Sequence, residues 1–468
     1  MNFTSAVFFP FFAAVFVLYY LPLLRKHQIW VLLAASIYFY AHETPELLLL
    51  LFTSCIISTA ASYLILRAPE HSRRTRIAAC GVVLNLGLLA FFKYKFLFIG
   101  YQPFDSKGSA SMLQILLSLP LPIGISFYTF HGISLLVDSI RRQDKFFLGY
   151  DTDLFQHTKK TFLYLVFFPQ LIAGPIVKAK DFFPQIGPKA LREINWGYVA
   201  STLITGYFLK SVVADNLQDQ TSFMQAPYFL AASAPNLMAL LFGYSMQIFA
   251  DFAGYSLIAL GLAALLGYRL PQNFNFPYVA QSVSDFWRRW HISLSSWLRD
   301  YLYVPLGGNR YGEVRTYVNL IIVMFLGGLW HGAAWSYAIW GLWHGIGLAI
   351  ERPFLKTLFY VSQHRLVAAA RIFGVGLFAT LGWLLFKLPN FSEAASYANA
   401  MLHNWTLPVN APQLAMIGLY SIPVLSYHAL YLSGFRYSHK LSPYLLGAML
   451  FLIASNSGRE AAFIYFQF

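Results

Sequence analysis

The sequence predicts an all-helical protein that crosses a membrane many times. Of its 468 residues, 58% are apolar or aromatic and only 11% are charged, against about 25% charged residues in soluble domains. Apolar runs of about 20 residues, long enough to cross roughly 30 Å of hydrocarbon, recur from Thr4–Leu24 to a last, shorter run at Tyr444–Ser455. Since no soluble domain of any size stands between the runs, we predict one membrane-embedded domain over residues 1–468.

The distribution of charge predicts which links lie in the cytoplasm, where Lys and Arg concentrate. Basic clusters at Arg25–His27 and Arg67–Arg76 follow the first and third runs, and the acidic link His42–Glu46 lies between them. This pattern places the N-terminus outside. The same rule places Tyr101–Ser111 outside, and Arg141–Lys145 and Arg436–Lys440 inside. It also accounts for the net charge of +14 without nucleic acid, because no basic-aromatic motif stands on a soluble domain.

Two segments in the middle of the chain are unusual. Thr161–Val177 is apolar, contains Pro and Gly, and has basic residues on both sides, so it is expected either to enter the membrane and return or to be a kinked span. A broken segment at membrane depth needs protein or a water-filled cavity around it, which indicates a central cavity. The long polar link Gly267–Thr316 carries six arginines and is expected in the cytoplasm. In total we expect about eleven spans.

His331 is the first candidate for a catalytic residue. The runs Tyr317–Trp330 and Ala334–Ile350 predict a helical hairpin with His331 near its apex, about 22 Å along the first helix. An ionisable residue inside a membrane is usually functional, although a neutral histidine bonded to a neighbouring helix is the alternative. Trp330 and Trp335 are expected to wall a pocket. Imidazole titrates near neutrality and can act as a general base, worth about 10²–10⁴ in rate.

A second histidine is expected to assist, and the candidates are His291, His344 and His131. The stretch Asp285–Asp300 predicts one membrane-surface helix with Trp287, His291, Leu294 and Leu298 on a shared face and Arg288 and Arg299 on another. A simple interfacial anchor is the alternative. His344 lies in a second copy of the Gly-Leu-Trp-His-Gly sequence of residues 328–332, and it could face the site of His331 only if the helix breaks.

Six sequence pieces carry a resemblance to a known family. The set is FWRRWHISLSSWLRDY (286–301), YVPLGGNR (303–310), LGGLWHG (326–332), LPIGISF (121–127), FFPQLIAGP (167–175) and FIYFQF (463–468). Together they resemble the membrane-bound O-acyltransferase family, in its bacterial alginate O-acetyltransferase-like branch. The resemblance covers residues 120–468, with the signature in 267–351, whereas residues 1–110 match only in hydrophobic character. One departure is Phe386-Lys387, where relatives often have Phe-Arg.

This resemblance implies a ring of about eleven helices, with re-entrant or interfacial helices, around a central funnel or tunnel. It also implies that His331 and His291 are the catalytic pair and that His331 acts as general base or transient acetyl carrier. Because the sequence has no His-Glu-x-x-His zinc site and no phosphate-binding Gly-rich loop followed by Lys, we expect no metal or bound cofactor. Near the cytoplasmic mouth, the residues expected to contact the donor are Arg288, Arg289, Arg299, Trp290 and Trp330. For the three arginines, a solvated basic cluster without any donor role is the alternative.

The function expected from the resemblance is transfer of acetyl groups from a cytoplasmic thioester, with acetyl-CoA as the expected donor, across the bacterial inner membrane for O-acetylation of a polysaccharide. Expected partners are membrane lipids, the acyl donor, and a periplasmic acetyltransferase or polysaccharide-export protein. One alternative is D-alanyl or other acyl transfer from a carrier protein to an envelope polymer. Another is a polytopic transporter without acyl chemistry, since a broken helix and intramembrane histidines would serve it equally.

Overall fold

The structure is a computed structural model, and it describes residues 1–42, 44–99, 121–141, 153–172, 174–362, 364–434 and 442–459. All regular elements within these ranges are helical, which confirms the predicted all-α class. The described chain divides into two compact units, residues 1–199 with 259–271, and residues 200–258 with 272–468. Four predictions fall outside the described residues, namely the outer link Tyr101–Ser111, the basic group Arg142 to Lys145, the basic group Arg436–Lys440 and the terminal Phe463–Phe468.

The first unit contains a bent helical pair, three long helices and one interrupted segment. Leu21 is extended and Pro22 follows it, so the helix that begins at Phe8 stops at Tyr20 and the next stretch leaves at 92°. The first apolar run is therefore two short pieces rather than one straight span. The helices are α1 (Phe8–Tyr20), α2 (Gln28–Ala41), α3 (Leu48–Arg67), α4 (His71–Ile99), α5 (Ile125–Ile140), α6 (Leu154–Val166), α7 (Phe168–Leu171) and α8 (Ala179–Phe182).

The predicted break in Thr161–Val177 is confirmed, because α6 ends at Val166, α7 ends at Leu171, and residues 174–178 before α8 form no helix. Side chains on one face of α5 satisfy the backbone N–H groups that this break leaves without helical partners. His131 Nε2 accepts from Val177 N (3.3 Å), Ser134 Oγ from Ala179 N (3.1 Å) and Asp138 Oδ2 from Lys180 N (3.3 Å). The spacing of three and four residues aligns these acceptors along the helix. Protein thus supplies the polar partners that broken backbone needs in an apolar setting.

The second unit holds the long signature region. Its helices are α9 (Trp196–Tyr207), α10 (Asp215–Thr221), α11 (Ala234–Leu265), α12 (Val283–Arg289), α13 (Ile292–Leu298), α14 (Gly312–His331), α15 (Trp335–Glu351), α16 (Leu358–Val361), α17 (Arg365–Lys387), α18 (Phe391–His403), α19 (Ala411–Leu432) and α20 (Ser442–Ser455). Helices α9 and α11 begin or end in residues of the first unit.

A buried charge cluster ties α9, α10 and α11 together. A π-helical turn, Phe208–Ala214, joins α9 to α10 and carries Lys210 inward. The Lys210 ammonium lies 2.7 Å from Asp215 Oδ1 and 2.7 Å from Asp251 Oδ1, with all three side chains almost fully buried. Moving Lys210 away from the two aspartates would leave buried charges without a partner. The charge cluster therefore stabilises the π-helical turn that holds Lys210 in place.

Six described helices are long and apolar enough to cross a membrane, and the bent pair at the N-terminus makes seven if it counts as one span. Two shorter apolar helices, α5 and α20, accompany them. This establishes a multi-pass membrane protein. The total of eleven spans and the orientation with the N-terminus outside stay predictions. The six are Pro45–Arg67, His71–Lys95, Ala234–Leu265, Gly312–His331, Arg365–Lys387 and Ala411–Leu432.

The predicted hairpin is confirmed, and the repeated pentapeptide explains how its two helices pack. Gly328 begins the first copy on α14, and Gly341 begins the second on α15. A Cβ atom added to Gly328 would lie 2.2 Å from the Tyr337 carbonyl oxygen, and one added to Gly341 would lie 2.2 Å from that of Met324. The backbones of α14 and α15 therefore touch where the two glycines meet, as small residues allow in membrane helices.

Candidate active site

The hairpin places His331 at the C-terminal end of α14. The helix begins at Gly312, five residues earlier than the sequence predicts, so His331 lies about 28 Å along its axis. Gly332 is extended, and α15 begins at Trp335. Only 4% of His331 is exposed. The hairpin thus delivers an imidazole into the protein interior at its turn.

The prediction of one helix over Asp285–Asp300 is wrong. Two short helices, α12 and α13, are separated by Trp290 and His291, and His291 has a left-handed backbone with φ 43° and ψ 53°. The break occurs because the strand-like stretch before α12 binds it, with Ile292 N donating to Asn273 O (2.9 Å) and Asn275 N donating to Arg289 O (2.9 Å).

The predicted apolar face of this stretch is buried in protein rather than laid on a membrane surface, since Leu294 is 1% and Leu298 8% exposed. A left-handed backbone at a residue other than glycine costs about 1–3 kcal/mol, and such residues cluster at functional sites. Hydrogen bonds between Asn273 and both Ile292 N and the His291 ring, together with burial of that ring, hold His291 in this conformation.

The structure brings His291 and His331 together. Their ring centroids are 6.4 Å apart, and Trp330 contacts both, at 6.0 Å from His291 and 5.1 Å from His331. Trp340 and Phe386 pack edge-on against His331 at 5.1 and 5.2 Å. The two imidazoles therefore lie in one aromatic-lined site.

The predicted pocket wall is half right. Trp330 lies against His331, but Trp335 is 50% exposed, and Trp340 and Phe386 supply the aromatic wall. Phe386 belongs to the Phe-Lys departure from the family pattern. The neighbouring Lys387, which stands where relatives often have Arg, has its ammonium 5.1 Å from the centroid of the Tyr244 ring. Lys387 therefore contacts another aromatic residue, whereas Phe386 contacts His331.

The hydrogen bonding of His291 determines its chemistry. Its Nδ1 lies 3.0 Å from Asn273 Oδ1, an acceptor, so Nδ1 carries the proton and Nε2 carries the lone pair of the neutral ring. His291 is fully buried between the long helices, and burial lowers its pKa to about 3. The ring is therefore neutral at physiological pH and has a nitrogen able to accept a proton.

The other two candidate histidines have the opposite hydrogen bonding. His344 Nδ1 accepts from Trp287 Nε1 (3.3 Å), and His131 Nε2 accepts from Val177 N (3.3 Å). In each neutral ring the lone pair is therefore already engaged by an N–H group. Both histidines hold the structure together, and neither is available as a base without first losing that bond.

The residues expected to contact the donor differ in their exposure and in their contacts. Arg288 is exposed, Arg289 is paired with Asp285 (2.9 Å) and Arg299 with Asp300 (2.8 Å). Trp290 is buried, 4.9 Å from Trp383 and stacked 5.5 Å from Phe286. Within the described residues, Trp330 is the member of this set that contacts both histidines, and the donor-binding roles of all five stay predictions.

Sequence reasoning missed Asn273, Trp340 and Phe386 as parts of the site. Trp340 was visible as a neighbour of His344, but its place beside His331 depends on the hairpin crossing. Asn273 carries no spacing signal, since it lies 18 residues before the histidine that it binds. Only the pairing of the stretch around residues 273–275 with residues 289–293 reveals it.

Comparison with known proteins identifies the family. A family model for membrane-bound O-acyltransferases matches residues 155–358, which contain His291, His331 and His344. The probable alginate O-acetylase of Pseudomonas aeruginosa is 37% identical over 93% of this chain and 82% of its own length. This chain belongs to the membrane-bound O-acyltransferase family.

Two further relatives of the chain act on other polymers, according to their names. The peptidoglycan O-acetyltransferase of Helicobacter pylori is 34% identical over 81% of this chain and 74% of its own length. The teichoic acid D-alanyltransferase of Bacillus subtilis is 27% identical over 68% of this chain and 78% of its own length. The chain is thus a multi-pass membrane O-acyltransferase, and the transporter alternative is set aside.

Proposed function

We propose that this O-acyltransferase moves acetyl groups from a cytoplasmic thioester, acetyl-CoA, across the bacterial inner membrane for O-acetylation of a cell-surface or exported polysaccharide of the alginate type. The observation that carries the proposal is the pair of buried imidazoles, His291 and His331, whose ring centroids are 6.4 Å apart within the region that matches the family. Aromatic rings pack against both imidazoles, and an apolar enclosure that excludes water would protect a thioester from hydrolysis.

The chemistry proposed for the pair is acyl transfer from sulfur to oxygen. In one route, His331 takes the proton of the acceptor hydroxyl as its oxygen forms a bond to the acyl carbon and the carbon–sulfur bond breaks. In the other route, a His331 nitrogen attacks the acyl carbon and carries the acetyl group until the acceptor oxygen displaces it. In both routes the departing thiolate takes up a proton, and the acetyl group ends as an oxygen ester.

Acetyl is favoured over D-alanyl as the transferred group. The O-acetylases named above are 34–37% identical to this chain, whereas the teichoic acid D-alanyltransferase is 27% identical and covers a smaller share of it. D-alanyl transfer from a carrier protein remains the second candidate. Chemical analysis of the ester-linked group released from the polymer by mild alkali separates acetate from D-alanine.

The proposed route implies partners on both sides of the membrane. Arg288, exposed near the site on the short helix α12, is a candidate to attract the phosphates of the donor from the cytoplasm. Outside the cytoplasm, a periplasmic acetyltransferase or a polysaccharide-export protein is the proposed receiver of the acetyl group. Membrane lipids surround the apolar helices.

The proposal is tested by replacing His331→Ala in the cell that carries the protein. Ester-linked acetate is released from the surface polysaccharides and measured, and the membrane abundance of the variant is measured in parallel. We expect acetate to fall to the level of a strain without the protein while abundance stays unchanged. Wild-type acetate in cells with only H331A would refute the catalytic assignment. D-alanine in place of acetate in the wild type would move the proposal to its second candidate.

A further inference from the structure

Asn273 makes an unusual set of hydrogen bonds beside His291. Its side-chain oxygen, Oδ1, lies 3.0 Å from His291 Nδ1, 2.9 Å from Ser293 Oγ and 3.3 Å from Ser293 N. Its side-chain nitrogen, Nδ2, donates to Ser256 Oγ at 3.1 Å. Its backbone oxygen accepts from Ile292 N at 2.9 Å. The residue therefore holds both the backbone turn and the ring of His291, and it is itself only 2% exposed.

The hydrogen-bonding properties of the Asn273 side-chain amide determine where the protons lie around it. An amide oxygen only accepts, so all three groups that face Oδ1 must donate to it. Turning the amide over would place its NH₂ group against the Ser293 N–H, which also donates, and that contact would be repulsive. Oδ1 therefore faces His291, whose Nδ1 must carry a proton. The lone pair of the neutral ring is at Nε2.

We propose that Asn273 is a positioning residue of the acyl-transfer reaction, holding His291 as the Nδ1–H tautomer so that Nε2 serves as the proton-accepting atom. This inference rests on the proposed function. During transfer, Nε2 receives the proton that His331 has taken from the acceptor hydroxyl and delivers it to the departing thiolate. Both imidazoles finish neutral, and the proton lost by the hydroxyl ends on the thiol.

The Asn273 oxygen assists at each stage of this relay. While His291 is an imidazolium, both nitrogens carry protons, and the bond from Nδ1–H to Oδ1 becomes charge-assisted and stronger. A second partner that fixes the tautomer of a working histidine is a recurring device in catalytic sites. In the described part of the chain, the rings of Phe252, Phe274, Trp330 and His331 pack against His291, and His331 is the titratable group among these four.

The test uses two replacements at one position. Asn273→Asp keeps an oxygen that accepts from Nδ1–H, whereas Asn273→Leu has a similar volume and no acceptor. The matched control is Asn85→Leu in the first unit, because Asn85 is also a buried asparagine whose amide makes three side-chain hydrogen bonds, to Ser54, Ser58 and the Gly81 carbonyl. Each variant is expressed in the cell that carries the protein, and ester-linked acetate is divided by the amount of protein in the membrane.

We expect N273L to lower acetate per molecule by about 10²-fold, N273D to retain most of it, and N85L to change only abundance. In inner-membrane vesicles supplied with labelled acetyl-CoA, N273D is also expected to shift the acidic limb of the rate to higher pH, because its carboxylate stabilises the His291 imidazolium. N273L should lower kcat with little change in KM for acetyl-CoA.

Equal acetate per molecule in wild type and N273L would overturn the inference, and so would equal losses in N273D and N273L, which would indicate a packing role. These outcomes are separate from failure of the proposed function. If H331A retains wild-type acetate, the function itself fails. If H331A is inactive while N273L is fully active, only the role of Asn273 fails.

Discussion

The two copies of Gly-Leu-Trp-His-Gly on the hairpin have the same sequence and different surroundings. The first copy ends α14, where His331 lies 6.4 Å from the ring of His291. The second copy lies inside α15, where His344 Nδ1 accepts a hydrogen bond from Trp287 Nε1. Trp340 separates the two histidines, packing 5.1 Å from His331 and 4.9 Å from His344.

This difference teaches that the pentapeptide is first a packing device. In both copies the leading glycine allows the two helix backbones to touch, and this contact is symmetrical. The position of each copy on the hairpin then determines which groups surround its histidine. At the turn it meets a second histidine, and within the helix it meets an indole N–H. We therefore expect the neighbours of each histidine, and not the shared motif, to determine its chemical role.

The largest effect should come from the matched pair His331→Gln and His344→Gln. We expect H331Q to lower acetate per molecule by about 10²–10⁴-fold, the contribution of a positioned general base. H344Q retains an oxygen that can accept from Trp287, so its rate per molecule should stay within about threefold of wild type. Acetate released from surface polysaccharide, divided by protein in the membrane, measures both. Comparable losses in the two variants would show that the copies share the chemistry.

The next largest effect should come from substitutions at the contact between the two leading glycines. Gly328→Val and Gly341→Val each place a side chain against a backbone carbonyl 2.2 Å away, so they should cost more than the about 1–3 kcal/mol usual for overpacking. We expect little folded protein in the membrane for either variant. Gly374→Ala on α17 is the control, because nothing lies within 4 Å of its added Cβ, and it should stabilise α17 by up to about 1 kcal/mol. Thermal unfolding in detergent reports both, and normal stability of G328V would contradict the close crossing.

A smaller effect should follow from Trp287→Phe, which removes the donor to His344. Loss of this hydrogen bond should cost about 0.5–1.5 kcal/mol of unfolding free energy, measured as a lower midpoint of thermal unfolding. The rate per molecule should not change, since His344 lies outside the proposed chemistry. A lower rate at unchanged stability would bring His344 into the reaction.

The smallest effect should come from Arg288 and Arg289 on α12 and from Arg299, which begins a second π-helical turn, Arg299–Tyr303. Arg288→Ala should raise KM for acetyl-CoA by about two- to fivefold, in line with the about 0.2–1 kcal/mol of an exposed charge interaction. Added salt should reduce the difference between wild type and variant. Arg289→Ala and Arg299→Ala serve as comparisons, because Asp285 and Asp300 already partly neutralise these arginines. An unchanged KM in R288A, measured in inner-membrane vesicles, would remove Arg288 from the donor path.

Much of the architecture could be predicted because, in a membrane protein, the local hydrophobicity of the sequence largely determines where the helices lie. Apolar runs, the break near Pro169 and the hairpin around His331 all depend on local sequence, and the structure confirms each. The single helix over Asp285–Asp300 could not be predicted correctly. Its apolar spacing is helical, but hydrogen bonds from residues 273–275 compete with the helix and break it at His291.

The sequence by itself determined that this chain is a multi-pass helical membrane protein with a histidine at a hairpin turn, because hydrophobic length and charge act locally along the chain. The residues alone left three candidates for the partner of His331, and the family resemblance selected His291; only the tertiary structure supplied the physical reason. His131 and His344 accept hydrogen bonds from N–H groups, whereas His291 donates to Asn273 Oδ1. In a neutral imidazole one nitrogen carries the proton and the other carries the lone pair. The hydrogen-bond partner determines which nitrogen carries which, and that partner lies far away in the sequence.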